Sequence, residues 1–450
     1  MDGATKLFQL ELNEINFEFV RRYGTRGELP NLNRLIELHG LVETTSEDRY
    51  EELEPWIQWV TAHTGLSLAE HGIFRLGDIV DHELCQIWEW LEERGVSVAA
   101  TSPMNANNRT SNATFFVPDP WTDTKVTGSP LIARVSEAVS QAVNENAGAK
   151  LTPRTASALA LAVLRYCGVG EYAQLAGYVA KAARGSKWAP TLVLDELLTA
   201  ITLSETRAKK PGYVSLFLNG GAHLQHHYMF NSAVYEGPHR NPDWLLSRSD
   251  DPILSVYRQY DRLVGRIRKV LPEYRLIIAT GLHQIPYPEE CYYWRLADHA
   301  AFLAELGCED FEVHPRMSRD FLVAAGSAEN ATAIQRRLAA AIGDDGVSLF
   351  DVDNRGDSLF VMLTYPRDIP ISFGFSIDNR HFADLRRRVN FVAIKNGEHD
   401  GIGYLVDTAE TAAETAGKRI PLAALPARVA AHFGLEWPQA PAASALNSAA

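Results

Sequence analysis

Cysteine is scarce in this chain. Cys85, Cys167, Cys291 and Cys308 are scattered over 450 positions. With no paired spacing, they exclude a disulfide framework and a CxxC zinc site. Long apolar runs are missing too, since nothing approaches the ~18 residues that a membrane-spanning helix needs. The first residues, MDGATKLFQLELNE, lack a basic region followed by an apolar core, so no secretory leader is expected. These absences predict a soluble, reducing, cytoplasmic setting and no membrane partner. Clustered positive charge is also lacking. The formal net charge is −13, and the densest basic run, Arg386-Arg387-Arg388, reads as a solvated face, which argues against nucleic acid as a partner. No internal repeat is visible.

What remains is an ordinary globular composition, 46% hydrophobic and 22% charged, long enough to bury a large core. Short apolar runs recur: LFQLELNEI (7–15), LVETT (41–45), VSVAAT (96–101), YVSLFLN (213–219) and YRLIIATG (274–281). They alternate with helical stretches, one starting near Phe17. That alternation predicts an α/β fold, a three-layer sandwich around a mostly parallel sheet. Sites in such sheets lie at the carboxyl ends of strands. Asn13-Glu14, Thr101-Ser102, Asn219 to His227 and Thr280 to His283 are therefore expected on one rim. Residues 1–129 and 211–304 read as two parts of the core. Residues 130–210 form alanine-rich amphipathic helices, an insertion or cap. Residues 305–435 read as a smaller α+β region that returns to the core, and 436–450 as a disordered tail. LFDVDNRGDSLFVML (349–363) signals a hairpin turning at 354–357; its DxDNxG fragment lacks the distal Glu of a calcium loop.

The chemistry-bearing stretch is NGGAHLQHH, residues 219–227. His223 and His227, four apart, share one face of a helix, and imidazole is the commonest metal ligand. The cluster could equally bind a substrate anion or pack against the cap. Glu14, at a strand end, is a candidate general base or metal ligand, or a helix N-terminal acid. Trp56 offers a sugar-stacking surface or core packing. Asn105, in TSPMNANNRT after a strand, could hydrogen-bond a substrate or shape a turn. His283 closes the rim after YRLIIATG.

Four segments together resemble the alkaline phosphatase superfamily, in particular its type I phosphodiesterase/nucleotide pyrophosphatase and sulfatase-like branches. They are Asn13-Glu14 followed by GELPNLNRLIELHG (27–40); TAHTGLSLAEHGI (61–73), with Thr64-Gly65 and His71-Gly72-Ile73; Asn219-x-x-x-His223; and Gly397-Glu398-His399-Asp400-Gly401. The resemblance implies an alkaline phosphatase-like fold with a helical insertion. It also implies a metal-assisted displacement at a phosphate or sulfate ester, in which metals lower a nucleophile's pKa and clamp the ester oxygens.

The departures from that pattern all fall on the chemistry. Pro55 stands where the family places its nucleophile, and it has no hydroxyl or thiol. Asn13 replaces the strand-end Asp, and Asn219 replaces the Asp of the Asp-x-x-x-His motif. Thr280-Gly281-Leu282-His283 replaces a pair of ligands. By the resemblance, His223, His227 and His399 are expected to hold one divalent metal, zinc or manganese, with a metal-free site as the alternative. Glu14, Gln58 and His283 are the catalytic candidates, Gln58 as an amide donor to an oxyanion or sugar. Asn13, Trp56, Asn105 and Asn219 are the substrate-binding candidates.

The expected activity is a remodelled hydrolase or transferase acting on a phosphate, phosphodiester or sulfate ester without a protein nucleophile. The partner is a small phosphorylated or sugar-like molecule, and a homodimer is allowed. Two rivals stand beside it: a metal-free enzyme of another class with a sugar or nucleotide substrate, and a non-catalytic ligand-binding protein.

Overall fold

In the computed structural model, residues 5–144, 152–316 and 319–438 are described; the expected tail lies mostly outside them. The chain divides into two units, one of residues 1–236, 243–285 and 398–450, the other of 237–242 and 286–397.

The first unit is built on an eight-stranded sheet. Its strands include β1 (Lys6–Leu12), β2 (Val42–Thr45), β3 (Val98–Thr101), β4 (Phe115–Val117), β5 (Tyr213–Leu218) and β6 (Tyr274–Ala279). The spatial order is Arg419–Pro421, β2, Ile402–Asp407, β6, β1, β5, β3, β4. Neighbours are parallel throughout, except that Ile402–Asp407 runs antiparallel between β2 and β6. The central strands β3 and β5 are buried along their whole length, as expected of a parallel sheet with helices on both faces. One face packs Leu7, Phe217 and Ile277 against Trp59, Trp88 and Val429.

The five runs read as strands are all strands, each trimmed by the turns that end it. The predicted first helix is α1 (Phe17–Thr25), whose N-cap Asn16 accepts from the Phe19 amide, one of the donors a helix start leaves unpaired. It is followed by α2 (Pro30–His39) and, after β2, by α3 (Pro55–Thr64), both opening with proline at the first turn, where the missing N–H costs nothing. The described residues between 130 and 210 are mostly helical, with helices at Pro130–Asn144, Pro153–Tyr166, Val169–Ala183 and Ala189–Lys209. No helix among the described residues is long and apolar enough to cross a membrane.

The second unit holds a four-stranded antiparallel sheet in the order Phe350–Asn354, Ser358–Leu363, Asp320–Ala324, Glu312–Pro315. The first two strands are the predicted hairpin, in register from Phe350–Leu363 to Asn354–Leu359. Helices His299–Glu305 and Ala328–Ala339 and a small three-stranded sheet complete it. A two-stranded ribbon, His283–Leu296 with Val389–Asp400, carries the chain out of the first unit and back.

Candidate metal centre

The rim begins where β1 ends. Asn13 and Glu14 follow it directly, and Glu14 adopts φ 59°, a left-handed conformation uncommon for a residue with a side chain. Its backbone is held from both sides. The Glu14 amide donates to the Thr280 carbonyl at 3.1 Å. Its carbonyl accepts from Gln225 Nε2 at 2.6 Å and from the Gln284 amide at 3.1 Å. Such over-determination is what keeps an unfavourable backbone conformation in place.

The buried Glu14 carboxylate then faces two imidazoles. Its Oε2 lies 3.2 Å from His226 Nε2 and 3.2 Å from His399 Nε2. Asn13 Nδ2 donates to its Oε1 at 2.9 Å, and Gln284 Nε2 donates to Oε2. Burial alone would raise the Glu14 pKa, but His399 and His226 outweigh it and hold the group well below the usual carboxylate range. For His399, burial disfavours the cation; Glu14 and then Glu54 outweigh that and raise its pKa.

The histidines come from two other segments. His226 rides on Gly220–Tyr228, which starts directly after β5. The two glycines before it are a steric requirement: a Cβ at Gly220 would collide with the Asp195 carboxylate, and one at Gly221 with the Ile15 side chain. The Gly220 amide donates to Asp195 Oδ2 at 3.2 Å, and the Gly221 amide to Tyr260 Oη at 2.8 Å. His399 lies at the end of the ribbon strand Val389–Asp400. A bond to the Leu53 carbonyl helps hold its ring.

Among the described residues, Glu14, His226 and His399 form the group whose ligand atoms all lie within 4.8 Å of one another. The residues fit a metal ion on two observations. His399 Nε2 is buried and has no aligned hydrogen-bond partner, although Glu14 Oε2 is close enough for attraction. The 3.2 Å separations match the ~3–3.5 Å expected between neighbouring ligands around an ion with bonds of ~2.0–2.2 Å.

The other sequence candidates take varied places. His223 and His227 meet each other, rings 4.9 Å apart, and neither joins the convergent group. Surrounding protein, then neighbouring imidazoles, push them down to about 4 and about 3; His223's ring is nevertheless open to solvent, which tempers that desolvation. Asn219 Oδ1 accepts from Asn13 Nδ2 at 2.8 Å, and Trp59 Nε1 donates to Asn13 Oδ1 at 2.7 Å, so Asn13 ties three elements together at the rim. His283 faces the Ile402 carbonyl through Nδ1 at 2.5 Å, with Asp400 at 3.7 Å. Gln58 is buried on α3, its amide N–H donating to Glu52 O at 3.0 Å and its Oε1 without a partner. Trp56 is half-buried and donates to Phe74 O. Asn105, at φ 49°, spends its amide on the Trp56, Arg75 and Gly77 backbone, which makes it a loop staple.

The sequence reading missed His226, Gln284, Gln225 and Glu54. Glu54 caps α3 one residue before Pro55 and reaches 4.0 Å from His399 Nδ1. Burial, opposed by His399 and reinforced by Glu14, raises its pKa.

No family model matches the chain, and no curated protein matches it. Among solved structures it is similar to phosphonoacetate hydrolase from Sinorhizobium meliloti 1021 in complex with phosphonoacetate, at TM-score 0.43 and 12% identity over 94% of each chain. It is also similar to murine ectonucleotide pyrophosphatase/phosphodiesterase 5, at TM-score 0.44 and 11% identity, covering 96% of this chain and 95% of that one. At such values the likeness is one of layout and carries no functional assignment.

Proposed function

We propose that the protein is a hydrolase or transferase of small phosphate, phosphonate or sulfate esters, related to the alkaline phosphatase superfamily but remodelled around one divalent metal, zinc or manganese, and lacking a protein nucleophile. The observation that carries this reading is the convergence of Glu14, His226 and His399 at the carboxyl edge of a mostly parallel sheet, where α/β proteins place their ligands.

Glu14 would supply the one anionic ligand, and His226 and His399 the two neutral ones. A metal held there supplies Lewis-acid stabilisation of the ester oxygens and lowers the pKa of a bound water. The chain's own residues do the rest. Asn13 and Gln284 orient the Glu14 carboxylate, one donor on each oxygen, the outer support that metal ligands need. The Leu53 contact orients His399 so that Nε2 faces Glu14. Pro55 at the start of α3 can form no covalent intermediate, so an external water or acceptor hydroxyl attacks directly. One in-line displacement inverts configuration.

The test is metal content, by elemental mass spectrometry on protein purified without a metal-affinity tag. About one equivalent of zinc or manganese, lost in His226→Ala and kept in His223→Ala, supports the reading; a metal-free parent overturns it. With an isotopically chiral phosphate ester as substrate, inversion is the expected outcome, and retention would defeat the nucleophile-free mechanism.

A further inference from the structure

The helical insertion presents a face that soluble helices normally hide. Helices Pro153–Tyr166 and Val169–Ala183, joined by Cys167-Gly168, expose Leu161, Leu164, Val169, Tyr172 and Val179. Leu164 is 70% exposed and Val169 87%. The outer side of the second helix is completed by Ala173, Ala176, Ala180 and Ala183, all exposed. A solvent-facing helix side ordinarily carries charged and polar residues; this one carries none along its centre. Of the large hydrophobic side chains exposed among the described residues, the densest sequence cluster is this one.

Charge supplies the second observation. Residues 152–188 contain Arg154, Arg165, Lys181, Arg184 and Lys187 against a single acid, Glu171, in a chain of formal charge −13. Glu171 is turned inward to Arg266 at 2.6 Å, whereas all five basic residues are exposed; of these, Arg154 has the acid Glu137 at 3.5 Å. On the helical wheel Arg154 and Arg165 lie to one side of Leu161, and Arg184 borders Ala173. Tyr172 Oη donates to the Leu164 carbonyl at 3.4 Å, which joins the exposed sides of the two helices.

We propose that this surface docks on an anionic lipid bilayer, the apolar side chains entering the headgroup boundary and the basic rim meeting lipid phosphates. Apolar residues bordered by Lys and Arg are the pattern by which interfacial helices bind, with strength set by inserted apolar area and attraction to anionic lipid. A second copy of the chain fits less well. Two helices of 14 and 15 residues, each ~22 Å long and ~10 Å wide, cover roughly 450 Å², about half of what a stable dimer buries per partner. Two-fold symmetry would also set this basic rim against itself. The acidic remainder of the molecule does not prevent docking, because screening over ~8–10 Å confines its field at cellular salt. The sequence analysis expected no membrane partner from the lack of a spanning segment; surface docking needs none.

The experiment is flotation of the full chain with phosphatidylcholine vesicles and with phosphatidylcholine/phosphatidylglycerol vesicles, at low and high salt. The full chain is expected to float with the anionic vesicles at low salt, more weakly at high salt, and not with neutral ones. Leu164→Glu/Val169→Glu and Arg165→Glu/Arg184→Glu, all at exposed positions, are each expected to weaken anionic binding about tenfold or more. Unchanged circular dichroism and melting temperature would show that they fold. No flotation with anionic vesicles overturns the proposal, as does equal flotation with neutral ones or parental binding by both variants. A concentration-dependent dimer dispersed by Leu164→Glu/Val169→Glu would assign the face to a second copy and also overturn it.

Discussion

Two glutamates three residues apart show how one strand serves two ends. Glu11, inside β1, and Glu14, just beyond it, are both buried and both meet histidine at 3.2 Å. Glu11 is enclosed: Gln9 Nε2, Ser215 Oγ and His63 Nε2 all turn to it, and His63 lies between Trp59 and Trp88. Glu14 has left the sheet's regular backbone and faces two imidazoles drawn from distant segments. A carboxylate–histidine contact inside a core is a structural polar network; at the carboxyl edge it is a candidate set of ligands. Position, more than composition, separates them.

The sharpest way to break the comparison is to mutate both. Glu11→Ala is expected to cost ~3–5 kcal/mol, because it leaves buried partners unpaired. Glu14→Gln also removes a buried charge that His399 and His226 stabilise, so it costs stability too, but it is expected to abolish bound metal while Glu11→Ala keeps it; urea denaturation and metal analysis read the two effects. Metal retained in Glu14→Gln, or lost from folded Glu11→Ala, would erase the distinction.

A third buried carboxylate, Asp195, sharpens the contrast because it has no imidazole. Its Oδ2 accepts from Tyr260 Oη at 2.7 Å and from the Gly220 amide, and burial pushes its pKa up to about 7. A raised acid favours folding while protonated. Its contribution is complete below about pH 4, falls as pH climbs to about 7, and is lost above that. Asp195→Asn should therefore match the parent in stability near pH 4 and exceed it above pH 7, by up to ~4 kcal/mol, in melts run across that range. A constant difference at every pH would remove the assignment.

The ligand set itself can be tested next. His226→Ala should weaken metal binding more than ~100-fold, whereas His223→Ala and His227→Ala, whose rings meet each other, should keep it. Gln284→Ala, which loses the donor on Glu14 Oε2, should weaken it ~10–100-fold. Competition titration with a chromophoric chelator measures all four.

Much of the fold was legible because parallel strands buried on both faces announce themselves as apolar runs with turns at their ends. Ile402–Asp407 was not read as a strand: GIGYLVD follows a histidine motif, and its antiparallel place between β2 and β6 depends on long-range pairing that local pattern does not encode. The rim was legible for the same reason as the strands. The choice of histidine was not. In Gly220–Tyr228 the inward stripe is Gly221, Leu224, Gln225 and Tyr228, at helical spacing. His223 and His227 lie on one shoulder of that stripe and His226 on the other. The i, i+4 pair was the stronger sequence signal, yet Glu14 and His399 lie on the opposite shoulder. Glu54 stands at a helix start, not at a strand end, and only the fold brings it to His399.

The place of Ile402–Asp407 has a further consequence, for the order in which the molecule is made. That strand fills the gap between β2 and β6, elements that precede it in the chain. Until it emerges from the ribosome, β6 keeps one edge unpaired and β2 has no strand partner, the kind of surface that invites aggregation. The same late segment delivers His399. Placement of this strand and arrival of the candidate ligand His399 are thus one event, with only the edge strand Arg419–Pro421 still to come.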